Sequence, residues 1–171
     1  MTYSLDQFSS DCHDILTKDS SATGLEQVRQ NLEKALSDPE FVAAHLGPDN
    51  KEPRTILYED PDIKFCIVAH VYDGAKGGHP HDHGPQWAIY GQAIGVTEMT
   101  EWKVVKKGAG DEASLVEPEI TYDLKPGMAR VYDINVVHSP DRKDSTKLIR
   151  IEGKNLDHVE RNPYKAAEAA A

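Results

Sequence analysis

Three histidines lie within five residues in the stretch Gly77-Gly-His79-Pro-His81-Asp-His83-Gly-Pro-Gln86-Trp87. In an extended chain, residues i and i+2 point to the same side. His81 and His83 can therefore present two imidazoles to one point, whereas Asp82 points away and is expected to hold the turn. Histidine pairs beside glycines are also common in surface loops, so the prediction of a metal site depends on a third ligand.

The best candidate for that ligand is His138, which ends the apolar run in Asp133-Ile-Asn-Val-Val-His138-Ser-Pro. Three neutral imidazoles suit Fe(II), Zn(II), Cu(II), Ni(II) or Co(II). Three protein ligands leave coordination positions open, which is typical of a catalytic site. The sequence therefore predicts a metal site formed by His81, His83 and His138. Three roles stay open for His79: a fourth ligand, a hydrogen-bond partner of a ligand, or a solvated loop residue.

The segments around these histidines have the period-two hydrophobic pattern of β-strands. Ile63, Phe65, Ile67 and Ala69 alternate with the residues between them, and β-branched residues are abundant. Turn sequences rich in Gly, Pro and Asp separate the candidate strands, and no helical segment lies between them. Many short strands with turns at short intervals favour a sandwich or barrel. The candidate strands are Arg54–Glu59, 62–70, 86–90, 93–105, 113–124, 128–133 and 147–152, with a turn at Gly91-Gln92.

The first 48 residues have helical patterns instead. Candidate capping boxes start at Ser4 and Thr23, and a third helix is expected to begin at Asp38-Pro39 and to end at Gly47-Pro48. We therefore expect one domain over 1–171, with a helical segment (1–48) packed on a barrel (54–153). The remainder, 154–171, is expected to be a tail in which Asn162-Pro163 breaks any regular element.

The composition of the chain limits the classes of partner that it is expected to bind. The 171 residues carry 19 basic against 29 acidic side chains and a net charge of −10, which disfavours nucleic acid and anionic membranes as partners. No apolar run approaches the ~20 residues of a membrane span, and the N-terminus lacks the pattern of a signal peptide. Two cysteines favour a reducing, cytoplasmic location. A small-molecule partner is expected, and the chain is expected to be a monomer or a homodimer.

The motif Pro80-His81-Asp82-His83-Gly84, followed by Lys125-Pro126-Gly127 and His138, resembles the two sequence motifs of the cupin superfamily. The resemblance covers roughly 54–153, and the helices before it are similar to those of the cysteine dioxygenase-like (thiol dioxygenase) branch. It implies a mainly β, cupin-type jelly-roll barrel with N-terminal α-helices and a metal inside the barrel mouth. Gln86 and Trp87 occupy the positions where many cupins carry a ligating Glu, so the resemblance implies a three-histidine site.

Two departures from that branch concern the substrate. Ala88 stands where the branch has its crosslinking Cys, and 148–155 lacks the Ser-His-Tyr relay. The resemblance therefore supports the fold and the metal triad better than it supports cysteine as the substrate.

A three-histidine site leaves the full charge on the metal and favours an anionic, chelating substrate such as a thiolate, enolate or carboxylate. The first hypothesis is accordingly a mononuclear non-haem Fe(II) dioxygenase that oxidises a small anionic substrate with O2; Zn, Ni, Mn and Cu are the alternative metals. A redox-neutral metal-dependent lyase or isomerase, and a non-catalytic ligand-binding barrel, are the competing hypotheses.

Several side chains are candidates for binding that substrate. Arg150 is expected either to bind a substrate carboxylate or to pair with Glu152, and Gln86 to hydrogen-bond a ligand histidine, O2 or substrate. Arg54, Tyr58 and Trp87 are weaker candidates for substrate binding, and Trp87 and Tyr90 also suit the barrel core. One of His70 and Tyr72 could be an acid–base group near the barrel mouth.

Overall fold

Three helices precede ten strands in the computed structural model, which describes residues 2–168. The helices are α1 (Leu5–Lys18), α2 (Ala22–Leu36) and α3 (Pro39–Leu46). The strands are β1 (Arg54–Glu59), β2 (Cys66–Tyr72), β3 (Lys76–Gly77), β4 (Ala88–Ile94), β5 (Thr97–Lys106), β6 (Ser114–Leu124), β7 (Ala129–Tyr132), β8 (Val137–Arg142), β9 (Thr146–Glu152) and β10 (Tyr164–Ala166), with a 3-10 turn at Leu156–His158. None of the described helices is both long and apolar enough to cross a membrane.

The strands form two five-stranded sheets. One has the order β1-β2-β9-β4-β7, and the other has the order β10-β6-β5-β8-β3. The three helices cover the outer face of the first sheet, where their apolar stripes share one core with residues of β2, β4 and β9. The predicted mainly β jelly-roll fold with N-terminal α-helices is confirmed.

Side-chain alternation decides which residues face the barrel interior. On β2, β4 and β9, Ile67, Ile89 and Ile149 pack against the helices. Their strand neighbours point the other way, because successive side chains of a strand lie on opposite faces. Tyr90 therefore faces inward beside Arg150, its partner in the register between β4 and β9.

Helix caps agree with the sequence at two of three positions. The Ser4 side chain accepts a hydrogen bond from the Gln7 amide, and Asp38 caps α3 with Pro39 in its first turn. The predicted cap at Thr23 is wrong. α2 begins at Ala22, two residues earlier than that cap implies, and its cap is Ser21, whose side chain accepts from the Thr23 amide.

The strand predicted over 62–70 begins only at Cys66. The buried Asp60 carboxylate accepts hydrogen bonds from the amides of Asp62 and Ile63 at 3.0 and 2.8 Å. These bonds hold the residues just before Cys66 in a turn. Lys64 completes that turn with a left-handed φ of 66°. A local side-chain to backbone bond therefore replaces strand pairing here.

The turn predicted at Gly91-Gln92 is also wrong, because β4 runs through both residues and the chain turns at Gly95 instead. Gly91 serves close packing rather than a turn. A Cβ at this position would lie 2.6 Å from the side chains of Leu32 and Leu36 on α2.

The segment predicted as an irregular tail is partly ordered into the sheet. Tyr164–Ala166 forms β10 and pairs in parallel with β6. Asn162 and Tyr164 also hydrogen-bond the buried Asp82 carboxylate at 2.8 and 2.7 Å. The end of the described chain therefore helps to hold the histidine segment in place.

Candidate metal centre

The three predicted metal-binding histidines meet inside the barrel. His81 and His138 face each other in an isolated antiparallel bridge, exchanging backbone hydrogen bonds of 3.0 and 2.9 Å. The ring of His138 lies 4.5 Å from that of His81 and 4.7 Å from that of His83, centroid to centroid. One ligand nitrogen from each residue lies within 4.8 Å of the other two, and within residues 2–168 no carboxylate joins this group.

Hydrogen bonds orient two of the rings. Nδ1 of His81 lies 2.8 Å from the His79 carbonyl, and Nδ1 of His138 lies 3.1 Å from the Val136 carbonyl. A carbonyl only accepts, so each Nδ1 must carry the proton and each Nε2 keeps a free lone pair. In proteins, a metal-binding histidine usually donates its other ring N–H to such an acceptor, which fixes the orientation of the ring. The donor set therefore fits a divalent transition metal.

Burial keeps the imidazoles in the neutral form that binds metals. It lowers the pKa of His81 to about 4. The pKa values of His83 and His138 are also lowered, mainly by burial and then by the neighbouring histidines. At neutral pH all three rings are uncharged, so no proton has to leave before a cation binds.

Two tyrosines enclose the histidines. The Tyr90 hydroxyl lies 3.0 Å from Nε2 of His83 and 3.2 Å from Nε2 of His138. Tyr132 stacks on His138 with a centroid distance of 4.1 Å, and its hydroxyl hydrogen-bonds Tyr122 at 2.7 Å. The sequence suits Tyr90 to the barrel core, but its hydroxyl is a polar group at the point where two candidate ligand nitrogens converge.

Arg150 lies beside this centre. Its guanidinium stacks over the Tyr90 ring at 4.4 Å, and its contact with Glu152 is a long one of 3.6 Å. The same carboxylate is held more tightly by Arg54, at 2.8 Å, and by the Leu156 amide, at 3.0 Å. Arg150 therefore contacts Glu152 only weakly, and its Nε has no hydrogen-bond partner among the described residues; its binding of a substrate carboxylate stays a prediction.

Arg54 and Gln86 are placed less favourably for substrate binding. Arg54 is engaged by Glu152, Asn155 and Asp157 at 2.8, 3.1 and 2.9 Å. The Gln86 side-chain oxygen would lie 2.8 Å from a Cβ on Gly153, and Gln86 lines a surface pocket. Within the described chain, Gln86 makes no side-chain hydrogen bond to a histidine of the centre.

Tyr58 and Trp87 are not brought to the histidines. A β-bulge between Ile56 and Tyr58 turns Tyr58 to the helix side of β1, where its hydroxyl lies 3.1 Å from Asp60. Trp87 also packs against the helix-side core. These positions do not support the substrate-binding roles suggested for Tyr58 and Trp87, which stay predictions.

The structure also gives the positions of the other residues that were considered near the barrel mouth. His79 is exposed and contributes only its carbonyl, to His81. Asp82 holds the turn, as predicted, accepting from the Gly84 amide at 3.0 Å. His70 and Tyr72 stack on each other at 5.9 Å inside the barrel.

Arg142 is a buried charged residue that the sequence does not single out. It lies four residues after His138 on β8 and therefore shares its face of the strand, and it is 3% exposed. The signal was the same alternation that paired His81 with His83. Pro140 concealed it, because a proline suggests that a strand has ended.

Neither a protein-family model nor a curated protein matches the sequence. Among solved structures, the chain is similar to a conserved protein with a double-stranded β-helix domain from Klebsiella pneumoniae (TM-score 0.47, 16% identity, 72% of this chain and 88% of that chain). It is similar to KdgF from Halomonas sp. (TM-score 0.45, 21%, 64% and 87%). A cupin superfamily protein from Desulfitobacterium hafniense is a third such structure (TM-score 0.43, 13%, 60% and 76%).

Cupin superfamily proteins are thus among the solved structures to which the chain is similar. The thiol dioxygenase branch stays a prediction.

Proposed function

We propose that this chain is a mononuclear Fe(II)-dependent dioxygenase that oxidises a small anionic substrate, a thiol among the candidates, with O2. The observation that supports the proposal is a group of three neutral imidazoles with no carboxylate ligand among the described residues. Such a donor set suits Fe(II) and leaves positions for both substrate and O2. His81, His83 and His138 would hold the iron, which supplies the oxygen chemistry when bound.

The other residues of the centre would bind and orient the substrate. Arg150 offers a positive charge beside the histidines, and its Nε is free of other hydrogen bonds. The Tyr90 hydroxyl can hold a proton at a point 3.0 Å from His83 Nε2. Burial raises the pKa of Tyr90 and the Arg150 guanidinium opposes that rise, so the hydroxyl remains a proton donor at neutral pH.

Oxygen consumption tests the proposal. Protein purified anaerobically and loaded with Fe(II) should consume O2 with at least one small thiol acid or enol acid. The His138→Ala variant should consume none above background. Conversion of the same substrate at an equal rate without O2 would refute the dioxygenase assignment.

A redox-neutral lyase or isomerase is the second candidate, and the position of Tyr90 favours it. A hydroxyl 3.0 and 3.2 Å from two ligand nitrogens is placed to transfer a proton to or from a substrate bound at the centre. General acid–base catalysis of this kind contributes roughly 10²–10⁴-fold. In this case the metal would be a Lewis acid such as Zn(II) or Ni(II).

The variant Tyr90→Phe separates the two candidates. It keeps the ring that contacts Arg150 and Tyr132 and removes only the hydroxyl. For a lyase or isomerase we expect turnover to fall ~100-fold or more at unchanged metal content, because the proton-transfer group is lost. For a dioxygenase, in which the iron would supply the oxygen chemistry and the hydroxyl would only orient the substrate, we expect turnover to fall by ~10-fold or less. Tyr132→Phe is the matched control, since its hydroxyl contacts Tyr122 and not a histidine nitrogen.

A further inference from the structure

A second polar cluster lies inside the barrel beside the histidines. The Arg142 guanidinium stacks over the Tyr72 ring at 4.0 Å, and Tyr72 in turn stacks on His70. Arg142 is 3% exposed and His70 is 5% exposed. Within residues 2–168, no carboxylate oxygen lies within 4.0 Å of the Arg142 guanidinium, although such an arrangement normally requires a counter-charge.

Four buried polar atoms of this cluster and its neighbours have no hydrogen-bond partner in the described chain: Arg142 Nε, Arg150 Nε, His70 Nε2 and Thr146 Oγ1. Buried polar groups in proteins are almost always paired, so several orphaned atoms in one region indicate a missing ligand. The strand register places three of them on one face of the β2–β9 pair, with His70 at the level between Arg150 and Thr146. Val68 pairs with Arg150, His70 with Leu148, and Tyr72 with Thr146, all across β2 and β9.

The charge of the interior identifies the kind of ligand. Arg142 and Arg150 both face the barrel interior, and among the described residues Glu152 is the one carboxylate within 4.0 Å of Arg150, at 3.6 Å. That carboxylate is already bound by Arg54 and by the Leu156 amide. Burial and the surrounding arginines lower the pKa of His70, which keeps it neutral. The whole chain has a net charge of −10, but the part of the interior around Arg142 and Arg150 is positive. This region therefore favours an anion as its ligand.

We propose that Arg142, Arg150, His70 and Tyr72 form an arginine pocket that binds the distal carboxylate of a short dicarboxylic acid, whose other end reaches the histidine centre. The link between the two sites is Arg150, whose guanidinium lies 4.4 Å from the Tyr90 ring, while the Tyr90 hydroxyl lies 3.0 Å from His83 Nε2 and 3.2 Å from His138 Nε2. A short diacid held by the arginines at one end can therefore reach the histidine centre with the other, whereas a single small anion occupies only one site. The identity of this ligand as the substrate rests on the proposed function, but its binding to the pocket does not.

Calorimetric titration of metal-free and Zn(II)-loaded protein tests the pocket without requiring turnover. The probes are succinate and butyrate, which have equal chain length, at constant ionic strength. Metal-free protein should bind both acids through the arginine pocket. Zn(II) loading should then strengthen succinate binding over butyrate binding by ~10-fold or more, because only the diacid has a second carboxylate for the metal.

Two variants and a control separate the contribution of the arginine pocket to binding from that of the metal centre. Arg142→Gln should weaken the binding of both acids ~10-fold or more, because a charge-assisted hydrogen bond is lost. Lys143→Gln is the matched control, since it removes the same charge from the exposed neighbouring residue and should bind as the parent does. His83→Ala should abolish the Zn(II)-dependent gain and keep the metal-free affinity.

The proposal is overturned if metal-free protein binds neither acid, or if Arg142→Gln binds them as tightly as the parent. A lowered Tm in Arg142→Gln with unchanged affinity would assign Arg142 a structural role instead. If this variant does not fold, Arg142→Lys replaces it: ~10-fold weaker binding supports the planar guanidinium as the recognition group, and unchanged binding refutes it. Absence of O2 consumption would leave these binding results intact, so the two proposals fail separately.

Discussion

Replacing His83 with alanine is expected to weaken metal binding by more than ~100-fold. Loss of a residue that only supports a ligand already costs roughly 10–100-fold, and His83 is itself proposed to be a ligand. His83 is 1% exposed and lies within hydrogen-bonding reach of Tyr90 rather than at the surface. Metal analysis after dialysis should therefore show about one ion per chain in the parent and close to none in the variant.

The matched control for this variant is His79→Ala. His79 lies in the same segment, is exposed and contributes only its backbone carbonyl. It should retain the parental metal content, because alanine keeps that carbonyl. Equal metal content in the His83 variant and the parent would contradict the proposed site.

Replacing Glu152 with alanine is expected to destabilise the fold by ~3–5 kcal/mol. Its carboxylate is fully buried, accepts from Arg54 and the Leu156 amide, and is the nearest negative charge to Arg150. Removing it leaves a buried guanidinium without a counter-charge and an amide without an acceptor. For a chain of this length the Tm should fall by ~10 °C in a thermal unfolding scan.

The control for this prediction is Glu117→Ala. Glu117 is exposed on β6, and surface substitutions of this kind usually change stability by less than ~0.5 kcal/mol. If the Tm of the Glu152 variant matched that of the Glu117 variant, the buried charge network would not contribute to folding as described.

The general architecture could be predicted because local patterns and tertiary packing agree. The period-two residues of β2 and the caps at Ser4 and Asp38 have the same meaning in isolation and in the folded chain. One error occurred where a distant contact decides the local structure. Gly91 indicated a turn, yet it is the place where the side chains of Leu32 and Leu36 approach a strand.

The meeting of His81, His83 and His138 could also be predicted, because strand alternation and a single antiparallel bridge suffice to produce it. Tyr58 could not be placed from the sequence, since a one-residue bulge reverses the side to which it points. Arg142 was missed because β8 continues through Pro140. In both cases strand pairing, and not the residue type, determines the face.

Anomalous scattering from a crystal of metal-loaded protein tests the central claim most directly. The account predicts one strong peak at ~2.0–2.2 Å from a nitrogen of each of His81, His83 and His138. The described chain contains one other group of potential ligands, His13, Asp60 and Asp62, near the end of β1. A peak at that group, with none between the three barrel histidines, would contradict the account.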